Sequence, residues 1–281
     1  MKLRKASAAA AAALVLSLTA TACGGGDGDS EGDSGSSGGG KIKIGIKYDQ
    51  PGLGLKEPDG TFSGFDVDVA TYVAKELGYD ADQIEFVETK TPDRENALKR
   101  GDVKFIAATY SINDERKKSV DFAGPYLLAH QDLLVKADSK ISEATDLNGE
   151  NLCSVTGSTS AQNVKKDFAP EANLQERSGY SECISSLQSG AVDALTTDDS
   201  ILAGFASQEQ YKGQFKLAGL KLSNENYGIG VKKGDTETLN KINAALEKMV
   251  SSKAWDKAVK DNFGPAKYKN EPAPKIGVIV Q

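Results

Sequence analysis

The chain has 281 residues, of which 34 are basic and 40 acidic, giving a formal charge of −6 with one histidine and three cysteines. That acidic balance argues against nucleic acid as a partner, since it offers no basic footprint for a polyanion. The histidine, His130, has no cysteine, serine or second histidine close to it, which argues against metal or nucleophilic chemistry built around it.

The N-terminus reads MKLRK, then ASAAAAAALVLSLTATA, an apolar run that ends in small residues directly before Cys23. The run is too short and too rich in alanine for a permanent membrane span, so residues 1–22 are expected to be an export signal. The small residues before the cysteine have the form of a lipoprotein cleavage box, with Ala20 where most such boxes carry leucine. Lipidation of Cys23 is therefore expected, with ordinary signal-peptidase cleavage as the alternative. The tract GGGDGDSEGDSGSSGGG that follows cannot bury apolar surface, and 23–40 reads as a flexible tether. Residues 41–281 remain for folding, enough for one large core or two lobes of about a hundred residues each.

KIKIGIKY (41–48) alternates as a strand and turns at DQPGLG; loops at the C-terminal ends of such strands commonly hold ligands. GFDVDVATYVAKELGY places Phe65, Val69, Val73 and Leu77 on one helical face, with Asp66 and Asp68 in the first turn, where carboxylates complement the helix dipole. IEFVE is a strand. In TKTPDRENALKRGDV, Pro92 and Asp93 mark a helix start, and Arg94 projects from its first turn as a cationic candidate. The strand VKFIAA then leads into TYSINDERKKSVDFAGPY. Here Thr109 and Ser111 follow the strand, Asn113 can cap a short helix, and Arg116 lies in its first turn. Two hydroxyls, a planar guanidinium and free helix N–H groups suit a carboxylate. The plainer alternative is a capping box from Ser111 to Asp114 followed by a solvated DERKK face.

YLLAHQDLLVKAD is long and extended and reads as a crossover to another lobe. A second strand–helix series follows: NLCSV, the TGSTS turn whose backbone N–H groups can bind an anion, NLQER, the helix YSECISSLQSG, AVDALTT and the helix DDSILAGFA. At the last junction one of Asp198 and Asp199 can face a cleft, the alternative being an N-cap. KGQFKLAGLKLSNENYGIGVKKGD returns in extended form, so two strands link two lobes. TETLNKINAALEKMVSSKAWDKAVKDNFG is helical, with Leu239, Ile242, Leu246, Met249 and Val250 at core spacing, and Trp255 and Phe263 read as core. The tail PAPKIGVIVQ carries no pattern that assigns it a role. Cys153 and Cys183 in an exported chain invite a disulfide, with two buried thiols as the alternative that only distance separates.

Taken in order, GFDVDVA, ATYSINDERKKSVDFAGPY, VTGSTSAQ and LQSGAVDALTTDDSILAGF resemble the amino-acid-binding solute receptors of ABC importers, family 3, in particular their actinobacterial glutamate-binding lipoproteins. The resemblance covers residues 41 to about 268. It implies an α/β, two-lobed, periplasmic-binding-protein-like (type II) fold, with doubly wound sheets joined by two hinge strands and a clamshell closing over the ligand. Lobe 1 is expected over 41–133 and 224–281, lobe 2 over 134–223. The resemblance places an α-carboxylate clamp on Arg116, Ser111 and Thr109, with Ser158 and Thr159 meeting the same carboxylate from lobe 2. It gives Asp198 to the α-ammonium and leaves Asp199 to cap the helix. Basic residues stand at Lys47 and Arg94 in relatives that bind acidic amino acids. Many relatives carry an aromatic residue where this chain has Gln50, which leaves open which ring, if any, covers the ligand, with Tyr48 as one candidate.

Each charge enclosed in a cleft needs a partner to offset its desolvation. With Arg116 and Asp198 answering the amino-acid backbone, Lys47 and Arg94 face an anionic side chain, and the expected ligand is L-glutamate, with aspartate second. The resemblance further implies ABC permease subunits as partners, a lipid anchor on the outer face of the cell membrane, a monomer, no cofactor and no metal. The site is a recognition set without a nucleophile–base pair, so no enzyme activity is expected. A secreted dehydratase or a sensory ligand-binding domain on the same fold are the alternatives.

Overall fold

The structure is a computed structural model and describes residues 40–281. The expected signal peptide, Cys23 and all but the last residue of the expected tether lie outside the described residues. Lobe 1 opens with β1 (Ile42–Ile46), followed by a small antiparallel sheet of β2 (Asp49–Gln50), β3 (Gly54–Lys56) and β4 (Phe62–Ser63). It continues through α1 (Phe65–Glu76), β5 (Ile84–Glu88), a 3-10 turn at Thr91–Asp93, α2 (Arg94–Arg100), β6 (Phe105–Ile106) and α3 (Asp114–Lys117). β1 pairs in parallel with both β5 and β6, the arrangement that helical crossovers impose.

The expected crossover is part of one 17-residue strand, β7 (Val120–Lys136). Lobe 2 hangs on its second half: β8 (Asn151–Val155), α4 (Thr159–Asn163), β9 (Asn173–Arg177), α5 (Tyr180–Ser189), β10 (Ala194–Asp198), α6 (Asp199–Ala206) and β11 (Phe215–Leu217). β8 pairs in parallel with β9 and β10, while β10 and β11 run antiparallel to β7. The return strand β12 (Asn224–Lys232) pairs antiparallel with β7, Asn224 opposite His130 and Lys232 opposite Val120, and antiparallel with β6. β7 and β12 are the two strands that join the lobes, and the sheets they join, with helices on both sides, make the type II receptor fold.

The C-terminal helical stretch is two helices, α7 (Thr236–Ser251) and α8 (Ala254–Phe263), broken where Lys253 takes a left-handed conformation (φ 66°). The core spacing that marks a helix in the sequence runs only to Val250, before that break, and no glycine or proline stands there to signal it. In lobe 1, Ile44, Ile46, Phe65 and Val69 pack with Ile242 and Trp255, all buried. Leu98, Ile106 and Tyr110 form a separate cluster. Each such aliphatic or aromatic side chain contributes roughly 1.5–3 kcal/mol by leaving water. In lobe 2, Cys153 of β8 and Cys183 of α5 form a disulfide with Cα atoms 5.6 Å apart, which decides the pairing the sequence left open.

Candidate functional site

β6 ends at Ile106, and the chain beyond it passes the C-terminal ends of the lobe 1 strands. Thr109 there has φ 46°, an uncommon conformation for a residue with a Cβ. It is held by Asp66, whose Oδ2 accepts from the Thr109 N–H at 2.8 Å while Oδ1 accepts from the Tyr126 hydroxyl at 2.7 Å. Asp66 is therefore more than a complement to the helix dipole: it is a fully buried brace for the clamp. Burial pushes its pKa up to about 6, against the pull of those two hydrogen bonds and of Arg94.

Asn113, not Ser111, caps α3, its side chain accepting from the Arg116 N–H at 2.9 Å, and Ser111 instead bridges to Tyr227 of β12. The Arg116 guanidinium is oriented by Nη1 donating to the Ser111 carbonyl at 2.8 Å and by the Tyr110 ring at 5.2 Å. Its Nε lies 3.8 Å from Glu95, and Nη2 reaches across to the Gly157 carbonyl of lobe 2 at 3.5 Å.

Arg94 is 2% exposed and also stands over the Tyr110 ring, its guanidinium 4.0 Å from the centroid. Its Nη1 donates to the Ala108 carbonyl at 2.9 Å, and its pKa is brought down to about 10, by burial first and then by Arg116. Lys47 is also buried but does not reach the cavity wall. Its Nζ donates to Thr91 Oγ1 at 2.8 Å, and Thr91 lines the cavity in its place. Burial, followed by Arg94, drives the Lys47 pKa well below its ordinary value.

From lobe 2, Ser158 caps α4 with its hydroxyl accepting from the Ser160 N–H at 3.2 Å, and Thr159 begins that helix. Asp198 ends β10; its Oδ2 accepts from the Tyr227 hydroxyl at 2.5 Å and its Oδ1 from the Ser160 hydroxyl at 3.5 Å. Burial, then Glu225, raises its pKa well above the carboxylate range. Asp199 does not cap α6 as expected. Its Oδ1 accepts from the His130 N–H at 3.0 Å and from the Tyr268 hydroxyl at 2.8 Å, which ties the helix start to β7 and to the C-terminal segment.

Thr109, Ser111, Arg94 and Arg116 meet Ser158, Thr159 and Asp198 around one cavity between the lobes, of about 20 Å³, room for roughly one water. The lobes are in contact around it. Ser181 N–H and hydroxyl donate to Asp49 at 3.3 and 3.4 Å, and a Cβ on Gly204 of α6 would lie 2.1 Å from the Pro51 carbonyl.

The ring on the cavity wall is Tyr180, not Tyr48. Tyr48 donates its hydroxyl to the Phe86 carbonyl at 2.8 Å and packs on Phe62, whereas Tyr180 accepts from Thr197 at 2.6 Å and donates to Ser158 at 3.4 Å. Tyr180 opens α5 directly after β9, so the signal that was missed is its place at a strand-to-helix junction on the cleft side. Among the described residues, no group of three His, Cys, Asp or Glu side chains is arranged to hold a metal ion.

The sequence matches the bacterial extracellular solute-binding proteins, family 3, over residues 42–265. It is 48% identical over 234 residues to the glutamate-binding protein GluB of Corynebacterium efficiens, covering 79% of each chain. It is 42% identical over 221 residues to the glutamine-binding protein GlnH of an ABC transporter in Bacillus subtilis, covering 78% of this chain and 80% of that one. Among solved structures, an ancestral arginine-binding protein bound to glutamine superposes with a TM-score of 0.74 at 36% identity, over 80% of this chain and 98% of that one. With the family match spanning most of its length, the chain belongs to the bacterial extracellular solute-binding proteins, family 3.

Proposed function

We propose that this protein is an extracytoplasmic lipoprotein that captures an amino acid, L-glutamate by preference and aspartate second, by closing its two lobes, and delivers it to an ABC permease. The observation that carries the reading is the charge arrangement on the cavity wall. Arg116 and Asp198 stand on opposite lobes, suited to an α-carboxylate and an α-ammonium, and Arg94 remains as a further buried cation. Glutamate brings two carboxylates and one ammonium to two guanidiniums and one carboxylate, so each charge finds a partner. Glutamine would leave Arg94 without an anion, and a buried cation without a partner is costly. Lys47 supports the wall from behind, donating to Thr91. The glutamate-binding relative supports the same choice.

Clamshell closure follows from the same geometry. A cavity with room for about one water admits an amino acid only when the lobes part, and β7 and β12 are the strands about which they do so. The groups on the wall recognise and neutralise charge, which fits a receptor that acts as a monomer and not an enzyme.

Calorimetric titration of the mature protein against the twenty amino acids tests the assignment. L-glutamate should bind tightest, aspartate next and glutamine markedly more weakly; a cationic or apolar amino acid binding tightest would overturn it. Anchoring is tested separately, because Cys23→Ala should release the protein from membranes with glutamate binding unchanged. Complete retention on the membrane would refute the lipid anchor.

A further inference from the structure

The family match ends at residue 265, yet the chain beyond it is tied into the fold at several points. Tyr268 packs its ring on Phe263 of α8, at 5.3 Å between centroids, and donates its hydroxyl to Asp199 at the start of α6. Glu271 Oε1 accepts from Lys221 Nζ at 3.0 Å and lies 3.0 Å from His130 Nε2. A carboxylate offers only acceptors here, so that ring nitrogen carries the proton. Further on, the Gly277 N–H donates to the Gly124 carbonyl at 2.8 Å. Asn226 exchanges two hydrogen bonds with the Val280 backbone, at 3.0 and 2.9 Å, and Asn224 donates to the Gln281 carbonyl at 2.7 Å.

Gly124 and His130 lie on β7, and Asn224 and Asn226 lie on β12, with Asn224 and His130 paired across the two strands. Asp199 belongs to lobe 2 and Lys221 to the segment that leads from β11 into β12. The C-terminal segment thus leaves lobe 1, touches lobe 2, and returns across both hinge strands.

We propose that residues 268–281 are a hinge strap that stabilises the closed arrangement of the lobes, and that Tyr268 is a positioning residue for Asp198. Tyr268 and the His130 N–H converge on one oxygen of Asp199, so the strand-to-helix junction that presents Asp198 to the cavity is fixed from the hinge side. Contacts made in the closed arrangement shift the open–closed equilibrium towards closure by whatever they lose on opening. Ligand held in the closed cleft should then leave more slowly. The affinity part of this inference rests on the amino-acid-binding reading; the hinge part does not.

The test compares the full-length mature protein with a Tyr268→Phe/Glu271→Ala double variant, which keeps the ring on Phe263. Glu271→Gln serves as the conservative variant that retains an acceptor for His130 and Lys221. Amide hydrogen exchange of the ligand-free proteins reads the hinge directly. In the double variant, residues 128–131 and 223–226 should exchange severalfold faster, α1 should be unchanged, and Glu271→Gln should lie near the parent. Titration with L-glutamate should give an affinity weaker by about three- to tenfold, the loss appearing in the dissociation rate.

Unchanged exchange at the hinge overturns the strap, and so does an equal acceleration in α1, which marks general destabilisation. Faster hinge exchange with unaltered glutamate affinity overturns the positioning role of Tyr268. If L-glutamate fails to bind the parent as well, the proposed ligand is wrong, and the exchange comparison still decides the strap.

Discussion

On the proposed reading, replacing Arg94 with glutamine should separate recognition of the ligand's side-chain charge from recognition of its backbone groups. Burial and the neighbouring Arg116 bring the Arg94 pKa from an ordinary 12.5 to about 10. At the usual conversion this is roughly 3 kcal/mol of unfavourable surroundings for the charge, which an arriving carboxylate relieves and a neutral amide does not. A hydrogen bond to a charged group contributes about 1.5–3 kcal/mol net, so Arg94→Gln should weaken L-glutamate by roughly ten- to a hundredfold. Glutamine should change only a few-fold, because the new amide still donates. The ligand-free protein should melt no lower than the parent, since Arg94 donates mainly to the backbone carbonyls of Thr91 and Ala108, and an amide can keep one such bond while a buried charge disappears. Calorimetric titration with both ligands, alongside a thermal melt, measures all three quantities. A glutamate-to-glutamine ratio equal to the parent's, in a protein that still binds both, would refute the assignment of Arg94 to the ligand side chain.

Arg116→Ala should weaken glutamate and glutamine alike, by about 3–5 kcal/mol, because it leaves an α-carboxylate enclosed without its partner; titration showing that only glutamate suffers would reassign the residue. The raised pKa of Asp198 gives binding a pH dependence of definite sign. The ammonium of the ligand pairs with the carboxylate form, so affinity should fall as pH is lowered through that raised value and binding there should release protons. Titrations in buffers of different ionisation enthalpy detect the release, which should vanish in Asp198→Asn. Reducing the Cys153–Cys183 disulfide, which closes a loop across 30 residues of sequence, should cost about 2–4 kcal/mol of stability. Denaturant curves that coincide with and without reductant would contradict this.

The elements were legible wherever a local pattern carries them. The helix over Phe65–Glu76 shows its core face at helical spacing, and the TGSTS turn joins a strand to a helix, whose cap proves to be Ser158. Seven of the eight candidate ligand residues line one cavity, because each stands at the C-terminal end of a strand or in the segment that follows it, and strands of a parallel sheet present those ends on one side. What was hidden depended on partners distant in sequence. Asp66 braces Thr109 from 43 residues away, a relation no helix-dipole argument contains. Lys47 turns to Thr91 because the 3-10 turn places a hydroxyl within reach, and Tyr48 turns to Phe62 and Phe86 because the small antiparallel sheet gives it an apolar seat. The C-terminal tail had no periodicity to read, since its order comes from single hydrogen bonds to Gly124, Asn224 and Asn226 and not from a repeating face.

Like charges already stand together on each side of the cavity, and closure shuts them away from water. Arg94 and Arg116 share the surroundings of Tyr110, each within 5.2 Å of its ring centroid, and Arg116 opposes the charge of Arg94. Asp198, shut away from water, is opposed by Glu225 and Asp199. Opening lets water screen both repulsions, and an amino acid with two carboxylates and one ammonium would offset both when the lobes close over it. On the proposed reading, the groups that make closure costly are also those that recognise the ligand, and a ligand shifts the equilibrium only by its differential affinity for the closed arrangement. A ligand lacking the second carboxylate would satisfy Arg116 and Asp198 but leave Arg94 opposed, and would hold the lobes together less well. On this argument selectivity for an acidic amino acid and the driving force for closure have one electrostatic origin, with Asp66 fixing the geometry of the clamp from beneath.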